Sequence, residues 1–304
     1  MTRLLYLLFL VFSVVFSQET NFDQQFSLQH DNDVLTGSDR YYSMGLFFRY
    51  KRELNSTFIF PKPISGKLQL NLMLSMKGYT PDKIDENDSS LFDHPYAGWL
   101  YIEGAVVSVK RNQLITIGLQ LGITGKPSLA GELQRWYHRF AGIDSKPNWS
   151  EQISPELMTN VIFRYVVDIP LGTIPAVFIS LNNKAALGTK DIFTEPGILL
   201  SVGRRSNLRT SSLFGMIGNS ASENYLYLGT SYRFVVHNSL IEGSWLNNNA
   251  PFTLHPEKGR HRIIGGISLH KRHSTYKIEY NYISRPTPQA GNHDFMKFIF
   301  EYNF

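Results

Sequence analysis

The sequence predicts an all-β protein: a transmembrane, antiparallel, up-and-down β-barrel of about 12 strands with a short helix in an extracellular loop. Three observations lead there. Clean period-two alternation recurs along the chain, aromatic residues crowd the ends of the alternating segments, and the last residue, Phe304, closes an amphipathic strand. Alternation alone fixes one apolar and one polar face per strand. In a soluble sandwich the apolar face would meet a shared core; in an outer-membrane barrel it meets lipid and the polar face lines the interior. Aromatics make up 13% of the chain. Tyr41, Tyr42, Tyr50, Trp99, Tyr101, Tyr225, Tyr227 and Tyr232 stand where an interfacial girdle would need them, which favours the barrel.

At the start of the chain, Arg3 precedes an apolar run from Leu4 to Phe16 that is too short to span a membrane. Val15-Phe16-Ser17 supplies small residues for a signal peptidase. A signal peptide over 1–17 is expected, followed by one barrel domain over 18–304 and residence in the cell outer membrane. There is no cysteine, hence no disulfide framework and no thiolate chemistry. No later run reaches the roughly 18 apolar residues of a spanning helix, and mean hydropathy is −0.18. The net charge of +5 comes from dispersed Lys and Arg and fits an anionic partner such as a phosphorylated lipid.

Taken in order, strands are predicted near 26–34, 43–53, 68–76, 99–110, 115–121, 157–168, 176–187, 197–205, 211–218, 224–236, 239–246, 262–271, 276–282 and 294–304. Leu119 and Leu121 alternate with Gly118 and Gln120; Tyr276, Ile278 and Tyr280 alternate with Lys277 and Glu279. Twelve of these segments are expected to span, an even number as in single-chain bacterial barrels.

One stretch has a helical period instead. From Pro127 to Gly142, the residues Leu129, Leu133, Trp136, Tyr137 and Phe140 recur at spacings of three and four and make an apolar stripe. Gln134 and His138 are four apart and share another face. Pro127 suits the first turn and Gly142 a left-handed stop. Such a helix can hold an imidazole where it meets substrate; the plainer alternative is a surface helix with a solvated His.

Two further stretches leave the plain strand pattern. Asp31, Asn32 and Asp33 end one strand, and Tyr42-Ser43-Met44-Gly45 opens the next. Closely spaced oxygen ligands suit a hard cation such as calcium, although Asn and Asp are equally at home in polar turns. Pro95-Tyr96-Ala97-Gly98-Trp99 could close a strand end tightly. These motifs, with Gln134, His138, Trp149 and Gln152 in the same order, closely resemble the outer-membrane lipid A 3′-O-deacylase family over nearly the whole mature chain.

The resemblance implies a 12-stranded barrel with its site between the inner wall and a loop helix near the outer leaflet. It also implies calcium-dependent hydrolysis of the ester that holds the 3′-acyloxyacyl chain of lipid A. Carried over residue by residue, His138 is the general base. Asn32, Asp33 and Ser43 match positions important for activity, and Gln134 matches a site-lining position. Ser43 stands where the family often has Thr, and His94 where Arg is common. The family's Lys has no clear counterpart, Lys83 being the nearest candidate.

The chemistry stands beside the resemblance. An imidazole can take a proton from water at neutral pH. A Ca2+ held by Asp33 and Asn32 could polarise the ester carbonyl. Gln134 could fix the ring of His138, and small residues near strand ends could leave room for acyl chains. Ser43 could instead be an acyl-enzyme nucleophile, but no G-x-S-x-G turn frames it. The expected partners are lipopolysaccharide as substrate and the outer membrane as solvent, with the chain a monomer. Nucleic acid is not expected. Competing readings are an outer-membrane phospholipase, a non-catalytic barrel, and a soluble sandwich. The other histidines, His30 among them, receive no role.

Overall fold

A computed structural model describes residues 22–59, 66–171, 177–218, 220–247 and 249–304. The predicted leader over 1–17 lies outside the described residues. The strands are β1 (Gln24–Asn32), β2 (Tyr41–Leu54), β3 (Gly66–Thr80), β4 (Ala97–Lys110), β5 (Gln113–Thr124), β6 (Leu157–Pro170), β7 (Val177–Gly188), β8 (Asp191–Glu195), β9 (Gly197–Arg204), β10 (Glu223–Asn238), β11 (Gly259–Lys271), β12 (Ser274–Ile283) and β13 (His293–Asn303). Apart from β8 and β9, sequence neighbours pair antiparallel, and β13 returns to β1, with Asn303 opposite Gln25 and Met296 opposite Asn32. Closure leaves no free edge for another chain to pair with.

β8 and β9 are two halves of one barrel position. β7 pairs with both, through Lys184–Leu187 on β8 and Val177–Leu181 on β9, and β10 does the same from the other side. Pro196 divides them, because it has no N–H to give to a ladder. The barrel therefore has twelve strand positions, one of them broken.

The faces are those of a membrane barrel. Along β5, Leu119 and Leu121 are exposed outward, and so are Phe26, Phe48, Leu74, Ile102, Leu228, Tyr276 and Ile278 on their strands. Inward stand buried Gln25, Lys51, Lys277 and Glu301, with Lys51 Nζ and Lys277 Nζ at 2.9 and 3.0 Å from the Glu301 carboxylate. Apolar side chains in lipid cost nothing, whereas the charged ones are kept by mutual pairing. The aromatic girdle is smaller than predicted. Tyr232 is exposed, but Trp99, Tyr101, Tyr225 and Tyr227 are buried because they fall at inward positions of the alternation, and Tyr41 is buried under the loops with its hydroxyl bonded to Asp93 and Gly291.

Two predicted strands are something else. Residues 211–218 contain a 3-10 turn at Ser212–Phe214 within a segment that folds into the barrel mouth. Leu208, Phe214 and Met216 pack on Val107, Val109, Leu114 and Val166 of β4 to β6. Lys67 Nζ donates to the Ile217 carbonyl at 2.8 Å, Gln69 Nε2 to that of Gly215 at 3.1 Å, and Lys277 Nζ to that of Ser212. The segment thus touches opposite walls and fills that end of the bore. Residues 239–246 begin with one turn of helix, Ser239–Glu242, capped by the Asn238 side chain accepting the Leu240 N–H; Asn at that position favours helix initiation over a further strand.

Gln24 and Phe304 lie at the filled mouth, bonded to each other through their backbones. The opposite mouth carries the longer loops 81–96, 125–156 and 239–258. Barrels of this class put long loops outside the cell and short turns in the periplasm, so the long-loop mouth is extracellular. Helix α1 (Ala130–Ala141) belongs to the loop between β5 and β6.

Candidate active site on the lipid face of the barrel

Helix α1 begins later than its sequence pattern suggests. Lys126–Ser128 forms a separate 3-10 turn containing Pro127, Leu129 takes a left-handed conformation with φ of 61°, and regular helix starts at Ala130. Gly142 stops it as expected, in the left-handed region with its N–H on the His138 carbonyl. The helix packs against β3 and β4. A Cβ on Gly98 would lie 1.9 Å from Ser128 Oγ and 2.9 Å from Ala130 Cβ. The missing side chain is what lets the helix start press on the wall, so the space beside Gly98 is taken by protein and not by an acyl chain.

The helix is inverted relative to one on a water-soluble protein. It buries Ala130, Gly131, Gln134 and His138 against the wall and turns Trp136 and Phe140 outward, 53% and 59% exposed. His138 is only 4% exposed, so the solvated-histidine alternative does not hold.

The wall that α1 covers is the outer one. On β1, Asn32 and His30 share a face with exposed Phe26, while Gln25, Ser27, Gln29 and Asp31 point to the lumen. Their register partners Met44 and Leu46 likewise share a face with exposed Phe48. The sequence resemblance implied a site against the inner wall, and it is here corrected. A cavity of about 110 Å3 lies between this outward face and α1, lined by His30, Asn32, Ser43, Met44, Gln134 and His138 among others.

Four of the five predicted site residues therefore converge on one cavity. Asn32 accepts the Val34 N–H at 2.9 Å through Oδ1, and its Nδ2 faces the Ser43 carbonyl at 3.5 Å. Ser43 sits at a β-bulge between Tyr42 and Met44, a distortion that re-aims side chains beside many sites. Its hydroxyl is paired with Thr80 Oγ1 at 2.7 Å instead of with His138. Gln134 does not orient the His138 ring directly. Its Nε2 donates to Asp39 Oδ1 at 2.9 Å and its Oε1 accepts from Trp149 Nε1 at 2.7 Å.

Asp33, the fifth, closes the turn beneath the cavity. Oδ2 accepts the Arg40 N–H at 2.8 Å and the Ser38 hydroxyl at 3.1 Å, while Oδ1 is buried without a partner. Burial, with the nearby Asp39 charge added, raises its pKa to about 9 against the pull of those hydrogen bonds. His94 and Lys83 do not line the cavity. His94 is buried, stacked on Tyr79 with its Nδ1 at 2.6 Å from the Pro95 carbonyl, and burial lowers its pKa to about 4.

Asp39 escaped the sequence reading. Its Oδ2 lies 2.8 Å from His138 Nε2. On the other side of the ring, Nδ1 is 3.0 Å from the Ser145 carbonyl. A carbonyl only accepts, so Nδ1 carries a proton, and the carboxylate at Nε2 calls for a second. Burial acts to lower the His138 pKa, but the Asp39 and Ser145 hydrogen bonds outweigh it and the pKa is raised. His30 was also given no role; it lines the cavity with its Nδ1 buried and unpartnered. Its place two residues before Asn32 on one strand face was the available signal.

A family model, the outer membrane protein LpxR, matches residues 4–304. The chain belongs to the LpxR outer membrane protein family. Membership places it in the outer membrane, among proteins that modify lipid A. The structure of LpxR from Salmonella typhimurium is similar, with a TM-score of 0.77 at 16% identity over 92% of this chain and 100% of that one. That likeness establishes the LpxR barrel fold. The β domain of the Bordetella autotransporter BrkA and the translocator domain of the Neisseria meningitidis autotransporter NalP match less closely. Their TM-scores are 0.44 and 0.45 at 12% and 8% identity, over 92% and 94% of this chain and 98% and 90% of theirs. No curated protein matches the chain by sequence.

Proposed function

We propose that this LpxR-family chain hydrolyses the ester-linked 3′-acyloxyacyl chain of lipid A at the outer leaflet, acting as a monomer. The observation that carries the proposal is the location of the cavity on the lipid face of the barrel wall, with His138, Asn32 and Ser43 around it. A lipid can reach such a site laterally, without leaving the bilayer. A passive pore is a poorer reading, because the bore is filled by residues 211–218 at its periplasmic mouth.

His138 acts as the general base. The Ser145 carbonyl holds the proton on Nδ1, so the neutral imidazole carries its lone pair on Nε2. While His138 is charged, Asp39 occupies Nε2 and the ring cannot accept a proton. Loss of that proton replaces an ion pair by two electron-rich atoms 2.8 Å apart, which drives Asp39 off and frees Nε2 for water. Gln134, held by Trp149, keeps its hydrogen bond to Asp39 Oδ1 as Oδ2 turns away from the ring. A positioned base contributes about 10²–10⁴-fold. Direct attack by water is favoured over a Ser43 acyl-enzyme because the Ser43 hydroxyl is engaged with Thr80.

Calcium fits the residues in part. Among the described residues, no three His, Cys, Asp or Glu side chains gather to hold a metal ion. Yet the orphaned Asp33 Oδ1 is a buried hard oxygen that a cation would satisfy, and Asn32 Oδ1 has a second lone pair. Bound by Asp33 and Asn32, calcium would act as a Lewis acid toward the charge developing on the ester oxygen.

Incubating the purified protein in detergent with lipid A or with phosphatidylethanolamine, each with calcium or with chelator, tests the reading. Loss of one acyloxyacyl group from lipid A, with phospholipid untouched, is expected. Fatty acid released from phospholipid alone would turn the assignment to a phospholipase.

A further inference from the structure

We infer that the Trp136–Phe140 face of α1 is seated in the outer leaflet, among the upper segments of the acyl chains that surround the barrel. The inference does not depend on the reaction catalysed.

The first observation is the inversion of the helix. Water-exposed helices bury their apolar stripe; this one buries Gln134 and His138 and presents Trp136 and Phe140 outward, their rings stacked at 5.5 Å and 7° apart in plane. The strands invert in the same sense, with charge inside and apolar residues outside, and for them the outer solvent is lipid. The second observation is continuity. Trp136 lines the cavity beside Met44 and Leu46. The next outward residue down β2 is Phe48, whose β3 partner is Leu74, and both are exposed in the lipid-facing band. The aromatic pair thus extends that band upward and does not stand apart from it.

Chemistry supports the same occupant. Trp is the side chain most suited to the boundary of acyl chains and headgroups. Arg135 and Arg139, one residue before each aromatic, can bury their stems and raise their guanidinium groups to anionic headgroups. Glu132, one turn before Trp136 on the same side of the helix, is paired with Arg135 at 3.4 Å at the helix start. The helix is then an interfacial strap that keeps the cavity roof level with the bilayer.

The chain has no native cysteine, so single nitroxide labels can be placed without further changes. Phe140→Cys is compared with Ile102→Cys in the lipid band and Leu91→Cys in the loop 81–96, both exposed positions. Each labelled protein is reconstituted in vesicles of phosphatidylcholine with a minor share of phosphatidylglycerol. Heat-modifiable migration on gels confirms folding. The expected result is that the Phe140 label matches Ile102, relaxed by oxygen with loss of relaxation by a water-soluble nickel complex, while the Leu91 label is relaxed by nickel. Nickel relaxation at Phe140 equal to that at Leu91 would overturn the inference. So would protection at Phe140 that disappears on dilution of protein in the vesicles, which would assign the face to a second copy of the chain.

Discussion

Asp39 and His138 form a buried contact, Oδ2 to Nε2 at 2.8 Å, on the roof of a cavity that opens on the lipid side of a barrel wall. The partners come from different loops, and Gln134 steadies the carboxylate from the same helix that carries the histidine. The contact sets the charge of the ring, and through it the pH at which the ring can serve as a base.

Asp39→Asn removes the charge that holds His138 protonated. The His138 pKa should fall, and the rising limb of kcat/KM against pH should move to lower pH. The stability effect has the opposite window. A histidine whose folded pKa exceeds its unfolded value of 6.5 stabilises most below about 6.5, and the benefit fades as pH rises through the folded value. Asp39→Asn should therefore destabilise the loop at acidic pH and little at alkaline pH. NMR titration of His138 and pH-rate profiles check both.

Asp33, with a pKa raised to about 9, is protonated at neutral pH until a cation displaces the proton. Calcium affinity should rise by up to about tenfold per pH unit between pH 6 and 9, with one proton released per ion. Calorimetry in buffers of different ionisation enthalpy reads the proton directly. Asp33→Asn should abolish the proton release.

A side chain at Gly98 collides with Ser128 and Ala130 at the start of α1. Gly98→Val should cost about 1–3 kcal/mol of local stability by overpacking. The loss should appear as proteolytic sensitivity of residues 125–156 and reduced activity, with the barrel itself still resistant to detergent.

Glu301 lies between Lys51 and Lys277 in the lumen. Glu301→Ala leaves two buried cations unpaired and should destabilise the barrel by about 3–5 kcal/mol, measured by urea unfolding in lipid vesicles. Because the pair is far from the outer-wall cavity in the register of β2 and β13, specific activity of the folded fraction should be unchanged.

Much of this was legible in the sequence, and the failures share a cause. Alternation of Leu119 and Leu121 with Gln120 gave the strand and its two faces, and the motif set placed Asn32, Ser43, Gln134 and His138 around one site. Periodicity tells which residues share a face but not what that face meets. The stripe on α1 was legible, and what it meets was not. Residues 211–218 and 239–246 have strand-like composition, yet Lys67, Gln69 and Lys277 draw the first into the lumen, and an Asn cap turns the second into helix. Asp39 was invisible because its partner Gln134 is 95 residues away, and a loop Asp has no local pattern to mark it.

The most direct test of the central claim is mass spectrometry of lipid A from a Gram-negative host lacking such an activity, expressing either the chain or His138→Ala. Lipid A that loses one 3′-acyloxyacyl group with the chain, and keeps it with His138→Ala, is the predicted result. Unchanged lipid A in cells whose outer membrane contains the folded barrel would contradict it.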